Sequence, residues 1–378
     1  MNPETLVFDA LGGNMHGTVP TMSMLADTNI SNQVAGRDGP NRLLEFLNSP
    51  RGSRFIDSYG GAVSRLFNLG MFFFGRSVAE INRRMGFDAA MLIYWRGRLA
   101  SHDSIEDVFG RRFSIVDDGF GNAYMMYREG LLASPDDWRA FPRPGIAAYA
   151  GAQGVVYRAW RASTRGIALV PFVGPGLWEN SWQPMGFNKF VVLMRRDPAF
   201  VREVVGYFTA LSVATVDAYC RAGARVIAFG DDLAYRSGPM LSVDQLEEFY
   251  GEGYRQVTAA AHRHGARILL HCCGNTYDLL DKFVEWGFDG AHAFEPSAGN
   301  SLAAARDKVG DRLCLVGGMD ITRTLVEASR EEVEAEVANA VKAAAGGGFI
   351  LAPAHTHPAV SVQRVEWMID SARKMKIG

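Results

Sequence analysis

From residue 225 to the end, the chain repeats one unit: a short apolar run that ends on polar or glycine residues, then an amphipathic helix. Residues 225–230 lead into Asp231-Asp232, 267–270 into His271, 290–294 into Glu295, and 313–316 into Gly317-Gly318-Met319-Asp320, with 348–352 as the last run. Runs this short and this apolar read as strands buried on both faces of a parallel sheet. Helical spacing fills the gaps at 242–264 (with a break), 275–286, 301–309, 331–345 and 362–374. Ser242 with Gln245 three residues on has the form of a capping box. Earlier runs at 19–25, 89–94 and 167–173, the last followed by a helix at 198–222, bring the strand count to eight. Eight strand–helix units predict an α/β fold, the (β/α)8 TIM barrel. Residues 113–127, with the turn Asp117-Asp118-Gly119, predict a β-hairpin inserted into it. The expected organisation is one barrel domain over 1–378, in which 1–88 form an N-terminal elaboration that includes the first strand. The alternative is an open doubly wound sheet, but no G-x-G-x-x-G opens a helix after the first strand.

Composition narrows the partners. With 48% hydrophobic and 21% charged residues the chain can bury a core, which excludes a disordered protein. A net charge of −2 gives no basic face for nucleic acid, so the expected partner is a small-molecule substrate. Four cysteines in 378 residues make no disulfide scaffold, and a reducing cytoplasm is expected. The start, MNPETLVFDALGGNMHG, lacks a basic segment followed by an apolar run. The apolar stretch 66–75 is far shorter than the ~20 residues of a membrane helix, so no membrane partner is expected, and it reads as a lid or contact helix. A homodimer is left open.

In a parallel barrel the loops after the strands gather at one mouth, so polar residues just past strand ends share a site. This selects Asp231, Asp232, His271, Cys273, Glu295, Asp320, His355 and His357. In Leu270-His-Cys-Cys-Gly-Asn, residues two apart on an extended strand face the same way. His271 and Cys273 therefore reach one point while Cys272 turns to the other side. Imidazole and thiolate are zinc ligands, and three protein ligands with an open fourth position describe a catalytic zinc site. Ala352-Pro-Ala-His-Thr-His-Pro, after the last strand, offers His355 or His357 as the third. His292, inside a strand, reads as a packed histidine. Strand-end position also nominates Asp231, Tyr235, Trp95, Arg96, Trp178 and Asp320 as substrate-binding residues.

Six segments together give the chain a family likeness: Gly230-Asp-Asp-Leu, Gly238-Pro-Met-Leu-Ser, Leu270-His-Cys-Cys-Gly-Asn, Phe294-Glu-Pro-Ser-Ala-Gly, Val316-Gly-Gly-Met-Asp and Gly347-Gly-Phe-Ile-Leu-Ala-Pro-Ala-His. From about residue 89 onward the chain resembles the uroporphyrinogen decarboxylase superfamily, which includes corrinoid-linked methyltransferases acting on methylcobamides. The resemblance implies a (β/α)8 barrel. It matches His271 and Cys273 to the zinc pair of the methyltransferase branch. The third ligand there is usually a cysteine after the last strand, and His355 stands at that place, which lowers the negative charge of the site and favours oxygen substrates. Asp232 and Glu295 match recurring positions and would act in catalysis, through substrate contact or as an exchangeable fourth ligand. The decarboxylases carry an arginine-rich loop after the first strand. The matching stretch here, Pro20-Thr-Met-Ser-Met-Leu-Ala-Asp-Thr-Asn, has no arginine, which disfavours uroporphyrinogen itself. The implied activity is that of a zinc-dependent methyltransferase or demethylase. It would move a methyl group between a methoxy compound or thiol and a corrinoid such as methylcobalamin. No D-x-H-x-x-G motif occurs, so a separate corrinoid protein is implied as partner. The alternative is a decarboxylase of a small aromatic or heterocyclic carboxylate, with Asp232 or Glu295 as the acid.

Overall fold

The computed structural model describes residues 1–36, 49–117, 119–120, 123–174 and 176–377. Eight parallel strands run around the molecule: β1 (Met22–Ser23), β2 (Ala89–Leu92), β3 (Ala168–Val173), β4 (Val226–Gly230), β5 (Arg267–His271), β6 (Gly290–Ala293), β7 (Cys314–Met319) and β8 (Phe349–Pro353). They pair in chain order. One parallel bridge, Thr21 with Leu351, joins β1 to β8 and closes the (β/α)8 barrel. β1 is shorter than residues 19–25 predict because side chains replace its ladder: the backbone N–H and hydroxyl of Thr21 both donate to the Asp88 carboxylate, at 2.8 and 2.9 Å.

The strands alternate strictly, and this alternation aims the site. Met22, Met91, Val170, Ala228, Leu269, Val316 and Ile350 fill the barrel interior, whose floor is plugged by Val7 and Leu11 of the helix Pro3–Leu11. The residues between them, such as Ile227, Phe229, Ile268 and Leu270, pack outward against the helices. On β5 the inward set is therefore Leu269, His271 and, beyond the strand, Cys273.

Local chemistry sets the helices. The Ser242–Gln245 capping box is formed in both directions. The helix it starts, Val243–Leu246, passes through a π-turn at Glu247–Gly251 and resumes as Glu252–His262, so the break lies there. The segment 275–286 holds only a 3-10 turn, Tyr277–Leu279, and the helix Leu280–Glu285, because the Asn275 side chain accepts the Tyr277 N–H and holds the start in a turn. The apolar stretch 66–75 lies in a 36-residue helix, Pro50–Met85, capped by the Ser49 hydroxyl. The helix Pro198–Arg221 is long and apolar enough to cross a membrane by length and composition alone, but more than half of its apolar window is buried within the protein.

The insertion is larger than the expected hairpin. Its two long strands, Arg111–Asp117 and Ala123–Gly130, pair with Phe113 opposite Tyr127. Two more antiparallel strands, Gly97–Ser101 and Ser104–Asp107, extend it to a four-stranded sheet. Asp118 of the expected turn lies outside the described residues.

Candidate metal centre

His271, Cys273 and His355 converge at the carboxyl ends of β5 and β8. One ligand atom from each lies within 4.8 Å of the others, and among the described residues no other three metal-ligating side chains cluster this way. His271 Nε2 stands 3.5 Å from Cys273 Sγ. A tetrahedral zinc, with ~2.0–2.1 Å to nitrogen and ~2.3 Å to sulfur, would hold such a pair about 3.6 Å apart. The nitrogen, sulfur and nitrogen donors therefore fit zinc in both type and spacing. The rings of His271 and His355 lie 5.5 Å apart. Nδ1–H of His355 donates to the Thr356 carbonyl at 3.0 Å, which leaves its Nε2 with a free lone pair. Of the two histidines the sequence left open, His357 is outside the cluster: its Nδ1 accepts the Ala359 N–H at 3.2 Å and serves the turn.

Backbone geometry explains the local sequence. Gly274 has φ +82°, and a Cβ there would strike the Ala234 carbonyl, so only glycine allows the turn that follows Cys273. Cys272 faces outward as expected, its sulfur accepting the Leu233 N–H at 3.2 Å. The Cys273 N–H donates to Asp232 at 2.8 Å. Burial, followed by the Asp232 carboxylate, pushes the Cys273 thiol well above the ordinary cysteine range. Burial pulls His271 down to about 3, with His355 adding to the effect, so the ring is neutral at physiological pH. A neutral imidazole is the form that binds metal.

The other nominated residues separate into two groups. Asp232 borders the centre through Cys273. Glu295 follows β6, half-buried, and accepts the Ser297 hydroxyl. Tyr235 is exposed on a short hairpin and Arg96 is exposed past β2. Four residues take structural places instead. Asp231 accepts the backbone N–H groups of Trp178 (2.8 Å) and Glu179 (3.0 Å) and the Tyr254 hydroxyl (2.8 Å), so both its oxygens hold the segment after β3. Trp178 is fully buried among Phe187, Phe190 and Tyr250. Trp95 packs with Leu99 and Ile105 under the inserted sheet. Asp320 accepts the backbone N–H groups of Thr322 and Arg323 and shapes its own loop. Strand-end position could not separate these packing roles from pocket roles.

Two participants were missed. Glu179, in the short helix Leu177–Trp182 after β3, accepts the Asp232 N–H at 3.2 Å and the Gln183 amide at 2.8 Å. Burial, then the neighbouring Asp232 and Asp231 carboxylates, raises its acid well above the usual range, so it holds a proton more firmly than an exposed glutamate. The strand-end rule would have found it had the third loop been followed further. The other is His292, on β6, whose Nδ1 lies 2.7 Å from Nδ1 of His271.

A fold and a site of this kind place the protein among barrel enzymes with chemistry at the strand carboxyl ends. The chain belongs to the uroporphyrinogen decarboxylase family, whose model matches residues 164–375. No curated protein matches it significantly. Among solved structures, a methyltransferase from Methanosarcina mazei aligns over 98% of both chains at 16% identity and a TM-score of 0.66. A B12-independent methionine synthase from Shewanella sp. W3-18-1, in complex with selenomethionine, aligns over 94% of this chain and 96% of its own at 11% identity and a TM-score of 0.50. At these identities the likeness is one of fold.

Proposed function

We propose that His271, Cys273 and His355 hold one zinc ion. On this reading the chain moves a methyl group between a small substrate, a methoxy compound or a thiol, and a corrinoid carried by a separate protein. The observation that carries this is the convergence of three zinc-type donors at the mouth of the barrel. The full-length fold shared with the Methanosarcina mazei methyltransferase supports it. The absence of arginine from residues 20–29 argues against a substrate with many carboxylates.

When bound, zinc would hold a thiol or hydroxyl ionised at neutral pH, or polarise a methoxy oxygen as a Lewis acid. The protein's own part is to position and to manage protons. Cys273 would hold the ion as a thiolate, having given up its thiol proton. Asp232 fixes the Cys273 backbone, and we assign it and Glu295 to substrate contact or exchangeable ligation. Glu179, whose acid is raised by burial and by the Asp232 and Asp231 carboxylates, stands beside Asp232 and accepts its backbone N–H.

The primary test is elemental analysis with a turnover assay, following methylcobalamin absorbance in the presence of candidate thiols and methoxy compounds. About one zinc per chain with methyl transfer supports the reading. A protein that takes up no zinc when it is supplied overturns it.

Two further outcomes are expected. His355→Ala should weaken zinc binding about 10- to 100-fold, while His357→Ala should leave it within about twofold. Competition with a chromogenic chelator measures both, and equal losses would remove His355 from the ligand set. The second outcome concerns pH. The thiol proton of Cys273, whose pKa is raised, would have to leave for zinc to bind, while His271 is already neutral. Affinity should therefore climb about tenfold per unit from pH 7.5 to 9, one proton leaving per zinc. An unperturbed thiol would make the curve flatten near pH ~8.5. That flattening, seen by the same competition assay, would contradict the assignment.

A further inference from the structure

His271 and His292 are register partners on β5 and β6, so both rings point into the barrel at the same level. They are linked in a definite order. His292 Nε2 lies 3.2 Å from the carbonyl oxygen of Pro353, the last residue of β8. A carbonyl only accepts, so His292 Nε2 carries the hydrogen. In the neutral ring its Nδ1 is then a bare lone pair. The 2.7 Å contact to His271 Nδ1 requires a hydrogen between the two nitrogens, and only His271 Nδ1–H can supply it. His271 Nε2 is therefore left bare, and it is the atom that faces Cys273 Sγ at 3.5 Å.

We infer that His292 is a positioning residue for the metal centre: it fixes His271 in the one tautomer whose free nitrogen faces Cys273 and His355. This inference rests on the zinc reading above. A ligating histidine commonly donates its other N–H to a carboxylate, a backbone carbonyl or water, and the partner holds both ring angle and tautomer. Here a second histidine takes that place and passes the bond on to the backbone of β8. The relay Pro353 carbonyl, His292, His271 thus joins the two strands that carry the ligands. His292 is 2% exposed, so no solvent molecule substitutes for it in the folded protein.

Two variants test this. His292→Asn keeps an acceptor, Oδ1, near the place of Nδ1. His292→Phe fills the space and offers none. In chelator competition His292→Phe should lose about 10- to 100-fold in zinc affinity, and His292→Asn should stay within about threefold of the parent. A His292→Phe protein that binds zinc as tightly as the parent would overturn the inference. So would a His292→Asn protein that loses as much as His292→Phe, since the role would then be packing. A metal-free measurement decides the case without zinc. Nitrogen-15 spectra of histidine-labelled parent protein should show His271 protonated on Nδ1 with Nε2 bare, and the opposite tautomer would overturn the relay. Failure of the parent to take up zinc would sink the proposed function, while the tautomer spectrum would still decide this inference.

Discussion

Purified His271→Ala and Cys273→Ala proteins should each contain less than about a tenth of the zinc found in the parent, while Cys272→Ala retains it. The ligand atoms of the first two point at a common centre, and deleting one of three donors leaves two, too few for a stable site. Cys272 points away into the outer layer, where its sulfur meets the Leu233 N–H. With the zinc, methyl transfer should fall about 10³-fold or more, corresponding to several kcal/mol of lost charge stabilisation. Mass-spectrometric metal analysis with the turnover assay reads both effects. Equal metal loss in Cys272→Ala would show that the alternation along β5 has been misassigned.

The second large effect is on stability. Arg111 is fully buried between the rings of Phe109 and Phe113. Its Nε–H donates to Asp107 at 2.6 Å, and its Nη1 group donates to Asn180 at 2.9 Å and Gln183 at 3.0 Å. Arg111→Met leaves the Asp107 carboxylate buried without its cation, which should cost about 3–5 kcal/mol. Adding Asp107→Leu should recover much of that, because the stranded charge is then gone as well. Denaturant unfolding of the parent, the single and the double variant measures this. A single variant within about 1 kcal/mol of the parent would show that the pair is not a keystone of the insertion. Asn180 and Gln183 follow Glu179 on the short helix Leu177–Trp182 and at its C-cap, so the inserted sheet and the site wall are clamped by one guanidinium.

The barrel was legible because burial leaves a direct trace. Strands covered on both faces must be apolar throughout, and runs such as Val226–Gly230 and Phe349–Pro353 are. The capping box at Ser242 was legible because its two residues bond to each other's backbones and nothing distant is involved. The helix Pro50–Met85 was not. Its glycines dilute the helical signal, and one of them, Gly75, is there because Trp160 fills the space a side chain would need. The candidate metal triad was half legible. His271 and Cys273 follow from a two-residue period on one strand, whereas choosing His355 over His357 needs the path of a loop. His292 was read as a packed histidine; it is packed, but its ring nitrogens matter more than its volume. The buried places of Trp178 and Asp231 were not legible, because a strand-end position does not reveal which way the following segment folds back.

The barrel's weakest closure would bear on any metal held at its mouth. β1 contributes two residues and meets β8 through a single bridge, and His355 lies just beyond β8 on that side. The loop carrying it is held by the segment after β1: Ala26 N–H and Asp27 bond Thr356, and Asn29 donates to the Pro358 carbonyl at 2.7 Å. Two donors thus sit on the firm wall of the cylinder and the third on its seam. Local openings begin where hydrogen bonds are fewest. An ion bridging the two sides would act as a rivet across that seam, and how long it stays would be set by how often the seam parts.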